Sequence, residues 1–319
     1  MFKQNDNQME FADGWYASKP CNRTLDKLNE LVRWSEVQDR IGKVYSPQEY
    51  GGRPGFDPVV VFKLILLEQW YNLSDGRVLE EAADRLSFRR FLGINAGVLL
   101  PDDTTLVKFR NRLQQTGILK EILNYVNACI QRSGFKLNSG TIVDATLVKA
   151  HTRPRQSGRE KYIEPEADKT KRNGKAHFGY KVHLSTDVET NVIKDIEVTP
   201  ASKAETEVFE KLLEGDEPEV YADKGYTSKK NSRWLSKRGI KDKIMKKGYA
   251  CHPLKESAKK LNRVISKVRN TIERKIGEMK LWHGLGRMRY VGLARSKIQA
   301  FLTAIVVNLK FLVSRCVQA

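Results

Sequence analysis

The sequence predicts an α/β sheet domain preceded by an all-helical N-terminal domain. Up to about residue 134, apolar residues recur at helical spacing between turns containing Gly and Pro. From Ser139-Gly140 onward, short β-branched runs alternate with helical segments, as in an α/β sheet. The chain has 319 residues and is 40% hydrophobic, enough for two ordinary domains with a normal core. The boundary is set at 135/136.

In the first domain, Pro58 opens the apolar run VVVFKLILLEQWY. Ser74 is placed to N-cap the next segment, in which Val78, Leu79, Ala82, Ala83 and Leu86 share a face, and Asp102 or Asp103 caps a third with Leu106, Phe109 and Leu113. Short helices joined by GGRPGFDP and GINAGVLLPDD resemble a helix-turn-helix bundle, a fold that serves DNA reading, dimerisation or packing alone.

In the second domain, TIVDATLVKA reads as a buried strand. The polar segment from Thr152 to Lys175 lacks period and reads as a mobile loop. FGYKVHLSTD and NVIKDIEVTP, separated by Val188-Glu189-Thr190, read as a hairpin. A helix over Glu205–Glu214, a strand at EVYAD, a helix near Ser228–Lys237 and a strand at IKDKIM follow. Long helices around Leu261–Lys280 and Ser296–Val313 close the chain. Neighbouring strands are expected to be antiparallel at first. No internal repeat is visible.

The cysteines (Cys21, Cys129, Cys251 and Cys316) form no CxxC pair and no zinc-ligand spacing, which suggests free thiols in a reducing cytoplasm. The N-terminus lacks the basic-then-apolar pattern of a signal peptide, and the apolar tail Phe301–Val313 is broken by Asn308 and Lys310, as in a core helix rather than a membrane span. The formal net charge is +19. Residues 1–139 are nearly balanced, with 19 basic and 17 acidic side chains, whereas residues 224–275 carry 18 basic against 3 acidic. A positive field so concentrated points to a phosphate backbone more than to a merely solvated surface, which mixes both signs.

Asp144 lies within one apolar strand, and Asp223 ends another, where ligands of α/β sheets gather. Each alone could be a cap or turn residue, but a carboxylate in apolar surroundings needs a partner or a cation. A third acid comes from helical geometry. Arg269, Glu273 and Lys280 fall on one face of NRVISKVRNTIERKIGEMK, beside the apolar stripe of Ile265, Val268, Ile272, Ile276 and Met279. Glu273 could instead be a surface partner of Arg269, although that order of charges is the less favourable one. Phosphodiester cleavage concentrates negative charge, which two divalent ions held by carboxylates can stabilise. Mg²⁺ prefers oxygen ligands, so Asp144, Asp223 and Glu273 suffice as metal ligands, with Mn²⁺ as a substitute.

With these residues in hand, the chain resembles the DDE transposases of bacterial insertion sequences, in particular the IS-five family. GRPGFDPVVVFKLILLEQWYNLSD and DDTTLVKFRNRL are similar to that family's N-terminal domain. GTIVDATLVKA carries the first aspartate at Asp144, YADKGY the second at Asp223, and HFGYKVH with TPAS resembles the segment between them. Arg269, Glu273 and Lys280 match the family's C-terminal signature in type and spacing, while Ser266 stands where the family has tyrosine. The resemblance implies an RNase H-like catalytic core at residues 136–319. It further implies metal-dependent cleavage and strand transfer at terminal inverted repeats, DNA contacts from Arg269 and Lys280, a homodimer on double-stranded DNA, and work at the nucleoid of a bacterial cytoplasm.

Lys224 and Tyr226, directly after Asp223, are expected to touch phosphate, and Lys181 is a further candidate for DNA contact. His177 and His183 share one strand face, where hydrogen bonding in the core is the better reading than a metal role. Trp282 reads as a hydrophobic plug, with base stacking as its alternative. The rival functions are a catalytically silent DNA-binding protein derived from a transposase, and an RNase H-like nuclease that cleaves without joining.

Overall fold

The computed structural model describes residues 23–42, 55–95, 97–152, 164–172, 174–248 and 253–316. The chain forms two compact units, Met1–Cys129 with Ile305–Ala319, and Ile130–Ala304. The second unit thus begins close to the sequence-predicted boundary, while the end of the last helix joins the helical unit.

The helical unit holds α1 (Arg23–Leu31), α2 (Trp34–Gly42), α3 (Pro58–Tyr71), α4 (Asp75–Asp84), α5 (Leu86–Leu92), α6 (Asp103–Thr116) and most of α7 (Ile118–Arg132). Pro58 sits in the first turn of α3, where its missing N–H would be unpaired anyway, and the Asp57 carboxylate accepts from the Val59 amide. Ser74 and Asp102 cap α4 and α6 as expected, each accepting from the amide three residues on. All of α3 except Tyr71 is buried, so it is the unit's central helix. Its buried Lys63 ammonium donates to the Phe91 carbonyl at 2.7 Å and to Asn29 at 3.0 Å. Burial lowers the Lys63 pKa to about 8.

The second unit is built on a mixed sheet. Its strands are β1 (Thr141–Lys149), β2 (Asp168–Arg172), β3 (Lys175–Asp187), β4 (Ile193–Pro200), β5 (Glu219–Ala222) and β6 (Lys241–Ile244). β1, β3 and β4 pair antiparallel, and β5 and β6 extend the sheet from β1 in parallel. The hairpin between β3 and β4 turns on Asp187. Its buried carboxylate accepts from the amides of Ser139, Glu189 and Thr190, and Asn191 supplies the left-handed residue at φ 55°.

Helix α8 (Lys229–Lys237), N-capped by Ser228, lies on one face with a core of Val143, Val220, Ala222, Phe209, Leu212, Tyr226 and Leu235. The other long elements are α9 (Glu256–Trp282) and α10 (Leu293–Cys316). Helix α9 packs on β1 and β5 and buries Ile265, Arg269, Ile272 and Met279. Helix α10 is long and apolar enough to cross a membrane, but 78% of its most apolar window is buried inside the protein, as in a core helix.

Two expectations are corrected. Glu205–Glu214 is not one helix but two 3₁₀ turns, Glu205–Glu207 and Phe209–Leu212. The segment expected to be a loop contains β2, which pairs with the N-terminal end of β3. Residues 153–163 of that segment lie outside the described residues.

Candidate active site

The parallel pairing of β1 with β5 sets Val143 opposite Ala222. The residue after each is an aspartate, so Asp144 and Asp223 stand side by side. Asp144 lies within β1 and its Oδ1 accepts from the Ala145 amide at 2.9 Å. Asp223 follows the last residue of β5 and caps the 3₁₀ turn Lys224–Tyr226, accepting from the Lys224 amide at 2.7 Å. Arg269 of α9 bridges the pair, with Nη2 at 3.0 Å from Asp144 Oδ2 and Nη1 at 3.6 Å from Asp223 Oδ1.

The Asp144 side chain is 14% exposed and that of Arg269 9%, so this pair is largely desolvated, while Asp223 at 34% keeps contact with solvent. Burial pushes the Asp144 carboxyl above the usual carboxylate range, and the Asp223 charge adds to that push. The Arg269 guanidinium and the Ala145 amide oppose it. The pair therefore needs a cation between its carboxylates, and in this structure the guanidinium is that cation. All ligand atoms that the two aspartates present are oxygens, which suits a hard divalent ion completing its shell with water.

Glu273 is one turn beyond Arg269, and its side chain is exposed. Lys280, on the same helical face, sends its Nζ to the Leu147 carbonyl of β1 at 2.9 Å. Glu273 thus stands between two residues of α9 that both reach β1. The structure does not bring it to the aspartates: among the described residues no three His, Cys, Asp or Glu side chains are grouped closely enough to hold one metal ion.

Two comparisons bear on this geometry. Residues 136–309 match a family model described as a transposase DDE domain, and residues 14–112 match one described as a transposase domain. The chain belongs to the DDE-domain transposases. This transposase shares its fold with a piggyBac transposase seen in a synaptic complex with hairpin DNA. The TM-score is 0.52 at 11% identity, covering 94% of this chain and 76% of that one. A Mos1 transposase strand transfer complex matches at a TM-score of 0.21 and 12% identity over 86% of this chain and 81% of that one, too weak a likeness to build on. The sheet with its flanking helices is an RNase H-like DDE core, and enzymes of this family generally use divalent metal ions.

A cleft of about 340 Å³ opens beside Asp223 in the transposase. It is lined by Thr170, Lys171, Lys181, Glu205, Lys224 and Lys247 among others. Lys224 is exposed there. Lys181 is 14% exposed, lies 3.8 Å from Glu205 and donates to the Lys203 carbonyl. Tyr226 is a correction. The sequence places it for phosphate contact, yet it is fully buried with its ring 5.8 Å from that of Phe209. The 3₁₀ turn after Asp223 folds this side chain back under the sheet, a reversal that alternation along a strand does not signal.

His183 is also buried, its Nε2 2.9 Å from Thr199 Oγ1, which places it in the core. Trp282 is no plug, being 70% exposed beside Leu281 at 78%. Sequence reasoning missed Glu205. Its carboxylate lies where a side chain at Gly225 would stand, 2.1 Å from that Cβ, and no motif marks it.

Proposed function

We propose that this DNA transposase is of the IS-five type and that it cuts and rejoins the ends of its own element with Asp144, Asp223 and Glu273 as the catalytic acids. The observation that carries the reading is the side-by-side placement of Asp144 and Asp223 with a cation between them. These carboxylates would hold Mg²⁺, with Mn²⁺ as substitute. Two such ions, when bound, supply charge stabilisation for the attacking and leaving oxygens of phosphodiester displacement. The role of Glu273 rests on its position along α9 between Arg269 and Lys280, both of which reach β1.

The remaining roles are assigned to the chain's own groups. Asp144 and Asp223 fix the reacting centre at the end of β5. Lys224 and Lys181 line the adjacent cleft and are placed for phosphate, and Arg269 and Lys280 contact DNA once drawn from their present partners. The partner is double-stranded DNA, first the terminal inverted repeats and then the target. Handling two ends together calls for a homodimer, acting at the nucleoid of a bacterial cytoplasm.

The test is cleavage and strand transfer by purified protein on DNA carrying the element ends, with Mg²⁺ or Mn²⁺, beside Asp144→Ala, Asp223→Ala and Glu273→Gln. Each substitution should lower cleavage at least 100-fold, about 2.7 kcal/mol of transition-state stabilisation, while leaving DNA binding within a few fold. Tight binding without cleavage by the unmodified protein would favour a silent DNA-binding protein. Full activity of Glu273→Gln would remove that residue from the site.

A further inference from the structure

Helix α9 carries on its outer side a charge pattern that the active site does not use. Lys260, Arg263, Lys267, Asn270 and Arg274 follow one another at alternating intervals of three and four residues, which at about 100° per residue makes one stripe along the helix. All of these side chains are exposed. The buried residues Ile265, Arg269, Ile272 and Met279 lie on the roughly opposite side, and the helix packs on β1 and β5. The stripe therefore points away from the strands that carry Asp144 and Asp223.

Its chemistry differs from that of an ordinary solvated face. Among the described residues none of its cations is held in an ion pair, and the acids at the ends of the helix, Glu256 and Glu278, are taken by Lys259 and Lys275. The exposed side of α4 shows the usual mixture of signs, with Arg77 paired to Glu80 and Glu81. Like charges three and four residues apart destabilise a helix, so Lys260, Arg263 and Lys267 are set against its folding. Beside them Val264 is left 58% exposed, an apolar side chain that the described residues do not cover. A polyanion would remove the repulsion and cover the face. From Lys260 to Arg274 the helix rises about 21 Å, the axial length of about six phosphates on one DNA strand, and the major groove is wide enough to admit a helix.

We propose that the outer face of α9 is a second DNA-binding surface of this transposase, holding by its phosphates a duplex segment other than the one at Asp144 and Asp223. It rests on the functional reading above only in taking the cut DNA to lie at the aspartate pair. Lysine and arginine supply the charge and Asn270 an amide donor, groups that fix a duplex in place without reading its sequence.

The test is calorimetric titration of the full chain, in chelator at about 50 mM salt, with a random-sequence duplex of about 12 base pairs, too stiff to bend round the helix. The stripe variant combines Lys260→Gln, Arg263→Gln, Lys267→Gln and Arg274→Gln. A control combines Lys211→Gln, Lys229→Gln, Lys237→Gln and Lys241→Gln, which removes the same charge from exposed lysines elsewhere. Glutamine is as good a helix former as the residues it replaces, so the stripe variant should melt at or above the temperature of the unmodified protein. It should bind one duplex fewer per chain, while the control binds as many as the unmodified protein. Arg263→Gln with Lys267→Gln alone should weaken that duplex about tenfold or more, and decides the question if the larger variant melts lower. An unchanged count in the stripe variant would overturn the proposal. An equal loss in the control would overturn it too, by making the effect one of net charge, and so would a single duplex per chain on the unmodified protein. The count needs no cleavage, so failure of the catalytic reading and failure of this one are distinguishable.

Discussion

Arg269 does two things that pull against each other. It neutralises the carboxylates of half-buried Asp144 and more exposed Asp223, and it occupies the place that the proposed divalent cation would take. Removing it leaves Asp144 desolvated with no guanidinium, and breaking a buried pair in this way costs about 3–5 kcal/mol. Arg269→Ala should therefore be destabilised by about 3 kcal/mol in chelator, and should recover much of that loss when Mg²⁺ is added, more than the unmodified protein gains. Urea unfolding with and without Mg²⁺ checks this, and equal Mg²⁺ responses in the two proteins would count against a cation site at the pair. His183 makes a separate prediction. Burial lowers its pKa to about 3, so between the unfolded value near 6.5 and pH 3 the unfolded chain takes up a proton that the folded one excludes. Stability must fall as pH falls through this window, by about 2 kcal/mol at pH 5. His183→Leu should flatten the profile by that amount between pH 7 and 5. The loss is tolerable for Thr199, whose hydroxyl also donates to the Pro200 carbonyl.

At the scale of elements, the register of β1 decides whether the aspartates meet. That register depends on Gly179, paired with Lys149 at φ 153°, a conformation side chains rarely take. A Cβ there would lie 2.2 Å from the Val148 carbonyl oxygen and 2.5 Å from the Ala150 amide, both backbone atoms that cannot swing aside. Gly179→Ala should thus cost about 2–4 kcal/mol and lower cleavage through displacement of β1. A melting temperature matching the unmodified protein would show that β1 and β3 adjust freely. The strands around this glycine were legible because short β-branched runs are bounded by turn residues, and Ser74 and Asp102 announced their helices by cap chemistry. Strand β2 was not, since DKTKR is charged at four of its five positions and pairs only because β3 runs long enough to offer it an edge. The two 3₁₀ turns read as a helix because Phe209 and Leu212, three apart, fit either period. In the site, Asp144 and Asp223 could be placed from strand texture alone. The bridging of Arg269 and the burial of Tyr226 depend on tertiary packing, and no local pattern encodes them.

Across the whole molecule, the excess charge is unevenly placed: residues 224–319 carry 25 basic against 4 acidic side chains. Folding spends part of that charge internally, as in the pairing of Arg269 with the aspartates and of Lys297 with Glu197. Lys224 and Lys247 are exposed at the cleft beside Asp223, where a scissile phosphate would approach. Binding to double-stranded DNA through such groups releases counterions, so affinity should fall steeply with salt, by about 10³-fold or more from 50 to 200 mM if six or more phosphates are engaged. Each phosphate contact contributes about 0.9 to the slope of log affinity against log salt. Lys224→Gln and Lys247→Gln should then reduce that slope by about 0.9 apiece, and by nearly twice that together, with similar losses on element ends and on unrelated DNA. Fluorescence anisotropy across a salt series measures it directly. An unchanged slope in the double variant would mean that DNA takes a path away from this cleft, and the placement of the cut at Asp144 and Asp223 would then have to be reconsidered with it.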